Sequence, residues 1–173
     1  MNRKRIVLVS AAGGGKDHFR DYLNERLDLD VSFTTRPMRE GEVEGYTYNY
    51  ITEFQFGIRS TLEQFYEEVK FNGWNYATSK ENWETKDVFI MTPSGTKHIN
   101  KEDRDECILI YFDIPLEVRR ERLSKRSDAD STERRIKSDE IDFEGFSDFD
   151  IRITNPEFNC DRLLNLIRNY ERV

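Results

Sequence analysis

Three consecutive glycines and a lysine stand near the start of the chain, in the stretch Ser10-Ala11-Ala12-Gly13-Gly14-Gly15-Lys16-Asp17. Residues of these types can hold an anion. Glycines let backbone N–H groups converge on it, a following helix adds positive potential, and Lys16 adds a point charge. The stretch departs twice from the phosphate-loop pattern G-x-x-x-x-G-K-[ST]. Ser10 stands where the first glycine belongs, and Asp17 stands where a magnesium-binding hydroxyl belongs. The plain alternative is a glycine-rich turn that binds nothing. A second group follows in Thr34-Thr35-Arg36-Pro37-Met38-Arg39-Glu40-Gly41-Glu42-Val43-Glu44-Gly45-Tyr46-Thr47-Tyr48. Arg36 and Arg39 can clamp a phosphate with two guanidinium forks, and Tyr48 offers a hydroxyl to the same anion. Its alternative is a solvated loop carrying charges of both signs.

Regular elements must position these groups. The run Ile6-Val7-Leu8-Val9 predicts a strand over residues 5–10, and Phe19, Tyr22, Leu23 and Leu27 have helical spacing over about 17–27. Strand, glycine-rich turn, lysine and helix is the context that makes a phosphate loop credible. Further strands are expected at 31–36, 46–51, 87–91, 107–112 and 150–154, with a turn between two short strands at 71–76. Residues 61–68 fit either a helix or an extended segment. Helices are expected at 79–86, from Pro115 to about Arg126, up to about Ile141, and over 158–171, with 127–132 polar and flexible. Strands alternating with helices, several of them continuous apolar runs, predict an α/β fold with a parallel sheet covered on both faces.

The chain has 173 residues, 36% of them hydrophobic and 13% aromatic, which suggests one domain with enough apolar mass for a core. A net charge of -7 argues against generic nucleic-acid binding, which needs a basic face. Cys107 and Cys160 fit no metal-ligand spacing and suggest structural thiols in a reducing compartment. The first residues run straight into a strand, so no signal peptide is expected, and no apolar run approaches a membrane span.

The arginine-rich stretch resembles the acceptor site of the guanylate kinase family, whose pattern T-T-R-x-x-R-x-G-E-x-x-G-x-x-Y it fits in order and spacing. Ser32 matches a family serine ahead of the arginines, and Glu67 falls where the guanine-reading glutamate is expected. Asn75-Tyr76-Ala77-Thr78 resembles N-Y-Y-G-[ST], and Arg122-Leu123-Ser124-Lys125-Arg126 resembles R-L-x-x-R. Arg135 resembles the arginine of the following helix, and the closing strand with Asn155 is also similar. The resemblance implies a three-layer P-loop kinase fold in a single domain of residues 1–173. Its core would be 1–32 and 83–173, with an acceptor-binding excursion at 33–82 and a lid near 124–135. It implies transfer of the ATP γ-phosphoryl group to GMP or dGMP with Mg²⁺, in the cytoplasm, by a monomer or homodimer acting on small nucleotides. Nucleic acid and membrane would have no part. The compact form would suit a phage or virus enzyme. Ala11, Ala12, Gly13, Gly14, Gly15, Lys16, Asp17 and His18 would hold ATP. Ser32, Arg36, Arg39, Tyr48, Glu67, Tyr76 and Thr78 would hold the monophosphate. Lys16, Arg122, Arg126 and Arg135 would serve catalysis by stabilising charge on the moving group.

The family carries aspartates in the strand after the base-binding segment, and Ile90 and Thr92 replace them here. Their absence weakens strict guanine specificity and leaves Asp17 as the expected metal carboxylate. Lysine followed by Asp, without that acidic pair, also resembles the ribose 1,5-bisphosphate phosphokinases. These lack the full arginine–glycine–tyrosine motif. A non-catalytic guanylate-kinase-like binding module is the third reading. Such modules usually lose the phosphate loop.

Overall fold

In a computed structural model the structure describes residues 4–125 and 132–171. Strand β1 (Arg5–Ser10) runs through the glycine-rich turn into helix α1 (Lys16–Asn24). Then come β2 (Phe33–Thr34), β3 (Asn49–Tyr50), α2 (Glu53–Thr61), β4 (Phe65–Phe71), β5 (Trp74–Ser79) and α3 (Lys80–Thr85). The chain continues with β6 (Val88–Met91), α4 (Pro93–Thr96), α5 (Lys101–Asp105), β7 (Cys107–Phe112) and α6 (Leu116–Ser124). It closes with α7 (Thr132–Phe143), β8 (Ile151–Ile153) and α8 (Cys160–Arg168).

The central sheet is parallel, in the order β6-β1-β7-β8. Successive side chains of a strand point to opposite faces, so β1 feeds two cores. Ile6 and Leu8 pack with Phe19 and Leu23 of α1 and with Leu163, Leu164 and Ile167 of α8. Val7 and Val9 pack with Trp83, Phe89 and Leu109 on the other face. This double burial is why the strand reads as an unbroken apolar run, and the expected α/β fold with a parallel sheet is what the chain adopts.

The second sheet, β3-β2-β5-β4, is mixed: β2 and β3 are parallel, while β5 is antiparallel to both β2 and β4. Its hairpin turns at Asn72 and Gly73, both in the left-handed region (φ 52 and 85), which suits an Asn-Gly pair between two strands. The ladder slips between Phe65 and Glu67, leaving Glu67 opposite Thr78.

Several boundaries differ from expectation. The strand expected over 31–36 is regular only at Phe33–Thr34, because the Arg36 amide turns to bond the Thr34 hydroxyl oxygen. The strand expected over 46–51 shrinks to Asn49–Tyr50, since the Tyr46 and Thr47 amides bond the Val43 carbonyl in a turn. The ambiguous 61–68 segment divides between α2 and β4. Helix α2 begins with a capping box, in which the Thr52 hydroxyl accepts from the Gln55 amide and the Gln55 side chain accepts from the Thr52 amide. Pro93 ends β6 but also opens α4 at its first turn. Most of the expected flexible segment at 127–132 lies outside the described residues.

Candidate active site

The loop after β1 turns on Gly13 and Gly15, both with positive φ (78 and 98). Gly14 is needed for a different reason. A Cβ built there would lie 2.0 Å from Ser10 Oγ, so the serine at the irregular first position fills the space above Gly14. The oxygen is held by donating to the Ala11 carbonyl at 2.8 Å. Gly14→Ala is therefore expected to cost about 1–3 kcal/mol through overpacking. Thermal melting should show the loss, and Ser10→Gly should restore most of it in the double variant.

Two distant groups brace the loop. Arg122 donates from Nη1 to the Gly13 carbonyl at 3.2 Å and from Nη2 to the Pro156 carbonyl at 3.0 Å. Asp139 of α7 accepts from the Ala12 amide at 2.8 Å and pairs with Arg119 at 3.6 Å. Burial pushes the Asp139 carboxyl up; the Ala12 amide, Arg119 and Lys16 pull it back. Lys16 opens α1, with its Nζ 3.6 Å from Asp17 Oδ2.

The arginine-rich segment folds around Glu42. Arg36 donates to Glu42 Oε2 at 2.9 Å and Oε1 at 2.7 Å, a bidentate pair, and also to the Pro37 carbonyl. Glu42 further accepts from the Arg39 amide and the Tyr50 hydroxyl, each at 2.7 Å. Burial pushes Glu42 up, but these donors prevail and hold its carboxyl at about 2. The Arg36 guanidinium lies 5.5 Å from the Tyr48 ring centroid, and Tyr48 meets Tyr76 edge-on at 5.8 Å. An acidic residue of the same loop thus fixes the orientation of the first arginine.

At the far end Glu67 is 5% exposed. Burial pushes its carboxyl up to about 7, against the pull of the adjoining Thr78; Asp30 and Glu68 push the same way as burial. A Cβ at Gly95 would lie 2.5 Å from Glu67 Oε1, so the carboxyl needs a glycine there. Asp30 borders the same cleft, accepting from Ser32 Oγ at 2.5 Å and Asn82 Nδ2 at 2.7 Å. The Thr92 hydroxyl accepts from the Gly95 amide.

These groups line one cleft of about 520 Å³. Among the expected residues, Ala12, Gly13, Lys16, Asp17, Ser32, Arg36, Arg39, Tyr48, Glu67, Tyr76 and Arg135 border it. Thr78 is buried directly behind Glu67, opposite it in the hairpin. Ala11 faces away, towards a depression between β7 and α7. His18 also points elsewhere: its Nε2 is 3.5 Å from Cys160 Sγ and its ring adjoins Phe158. Arg122 is spent on two carbonyls rather than on the cleft, which makes it a brace for the loop. Arg126 lies outside the described residues. Sequence reading missed Asp30, Asp139 and Asp142, which also border the cleft. Arg135, Asp139 and Asp142 stand at i, i+4 and i+7, and that spacing was the available signal for one helix face.

Among the described residues no group of three or more His, Cys, Asp or Glu is arranged to hold a metal by itself. The donors present suit Mg²⁺ nonetheless, since that ion is commonly held by one or two carboxylates with substrate phosphates and water. Asp17 supplies one carboxylate beside Lys16. Asp142 has its Oδ1 bonded by Ser94 and its Oδ2 buried without a hydrogen-bond partner.

The guanylate kinase family model matches residues 2–169. A guanylate kinase from Idiomarina loihiensis is 30% identical over 169 residues, covering 89% of this chain and 80% of the relative. One from Legionella pneumophila strain Paris is 33% identical over 172 residues, covering 91% and 81%. The fold resembles the crystal structure of guanylate kinase from Anaplasma phagocytophilum, with a TM-score of 0.75 and 20% identity, covering 97% of this chain and 86% of that one. No described helix is long and apolar enough to cross a membrane. With a lysine-bearing loop and an arginine–tyrosine cluster opening on one cleft, and with a family match along nearly its whole length, the chain belongs to the guanylate kinase family.

Proposed function

We propose that this chain transfers the γ-phosphoryl group of ATP to GMP or dGMP. The observation that carries the reading is that Lys16 and the Arg36–Tyr48–Tyr76 cluster border the same cleft, with buried Glu67 at its far end. A phosphate oxygen of the monophosphate attacks the γ-phosphorus, and the bond from that phosphorus to the oxygen it shares with the β-phosphate breaks. The products are ADP and the diphosphate. Lys16 and the loop amides hold the donor phosphates, and Arg36 with Arg39, Tyr48 and Tyr76 holds the acceptor phosphate. Arg135, 6% exposed on α7, stabilises charge on the group in flight. Asp17, together with the donor phosphates, would hold Mg²⁺, which would supply positive charge against the donor. Glu67 accepts from the N1–H and exocyclic amine of guanine.

A coupled assay of ADP release against ribo- and deoxynucleoside monophosphates tests this. GMP- or dGMP-dependent release supports it. Release only with ribose 1,5-bisphosphate, or none with any acceptor, removes it. Asp17→Ala should lower turnover at saturating nucleotide and weaken Mg²⁺ dependence; unchanged values would take Asp17 out of the mechanism.

A further inference from the structure

One acidic group of the cleft has no part in the chemistry above. Asp30 lies just before β2, and its backbone N–H donates to the Val88 carbonyl at 2.8 Å, so the sheet edge fixes its position. Its side chain holds Ser32 and Asn82 through one oxygen each. A carboxylate offers about four lone pairs, so two acceptor positions remain after those bonds. The residue borders the same cleft as Glu67, and its negative charge adds to the rise of the Glu67 carboxyl. Glu67 is buried and Asp30 half-buried, and two acidic groups on one wall are unfavourable unless donors or cations offset them. Besides the Ser32 hydroxyl and the Asn82 amide, only the Lys86 charge among the described residues is felt at Asp30 as an offset. On the other wall, Thr92 brings only a hydroxyl already engaged at Gly95. A ligand that places an amine between Asp30 and Glu67 would satisfy both.

We propose that Asp30 is a second base-reading carboxylate, accepting from the exocyclic amine of a 2-aminopurine nucleotide and doing the work of the carboxylate that Thr92 cannot supply. The assignment rests on the guanylate reading above. Discrimination for the 2-amino group then comes from the segment before β2 and from Glu67, not from β6. Ser32 is oriented by the same carboxylate, so the two residues act as one unit.

The test compares GMP with IMP, which differ only by the 2-amino group. Steady-state kinetics and calorimetric binding are measured for the wild type, Asp30→Asn and Asp30→Ala, with melting curves for each. The expected result is a fall in GMP affinity and kcat/KM of about tenfold or more, with IMP changed by less than about twofold. The GMP-to-IMP preference therefore collapses. Equal losses for both nucleotides would mark Asp30 as a structural group and overturn the proposal. A wild type that prefers GMP, with the preference intact in both variants, would overturn it while leaving the guanylate reading in place. A wild type that binds neither nucleotide would overturn both.

Discussion

Arg36→Ala should destabilise the protein by about 3–5 kcal/mol and remove acceptor-dependent turnover together. The side chain is 6% exposed and fully engaged with Glu42 and Pro37. Deleting it leaves a carboxylate half-buried with only the Arg39 amide and Tyr50 hydroxyl as partners, the costly direction in which to break such a pair. Glu42→Gln should be milder, because a neutral amide still bonds the guanidinium. The sign of the pH effect follows from the depressed Glu42 carboxyl. Its contribution to stability is present above the ordinary value of 4.5 and is lost as pH falls towards about 2. Urea melts at pH 7 and pH 3 should therefore differ less in Glu42→Gln than in the wild type. Arg36→Lys separates the two roles. It keeps a charge against Glu42 but loses the fork, so more stability than phosphate affinity should survive.

Glu67→Gln should give the opposite combination, a more stable protein with a damaged acceptor site. The Glu67 carboxyl is raised to about 7 mainly by burial, with Asp30 and Glu68 adding to it and Thr78 opposing. A raised carboxyl contributes stability below its unfolded value near 4.5 and loses it as pH climbs through 7. At pH 8 the buried charge is a liability of about 3 kcal/mol that glutamine removes. Function runs the other way. Only the ionised form accepts from two guanine donors, so KM for GMP in the wild type should rise as pH falls below 7, and Glu67→Gln should flatten that profile. A wild-type KM independent of pH between 6 and 8 would contradict the role given to Glu67.

Legibility in the sequence followed the range of the forces. The fold class was readable because β1 is buried on both faces, and a strand in that position must be apolar at every residue. The loop and the Arg36 segment were readable because their spacing is local: a phosphate cradle and a two-arginine loop are each built from consecutive residues. Asp139 was invisible for the opposite reason, since it meets Ala12 across 127 positions of chain. Asp30 looked like one acidic residue among 34. Only the pairing of Leu29 with Val88 brings it to the cleft. Arg122 was read by its type, as a cation for the transition state, but its position gave it carbonyls to hold. His18 was read from its neighbours in sequence, and the turn of α1 carried it to the Cys160 side. Helix α2 carries its capping signature in Thr52 and Gln55, but Gly57 in its interior and the β-branched Ile58 and Thr61 lower its intrinsic helix propensity and mask it.

The contact between Ser10 and Gly14 bears on how this loop can change over time. With the Ser10 hydroxymethyl group placed as it is, a side chain at position 14 overlaps it, and one of the two must shift. A larger residue at position 14 is therefore least costly once position 10 is glycine. The two positions are coupled through one contact, so an exchange at one is compensated at the other and the pair behaves as a single feature of the loop.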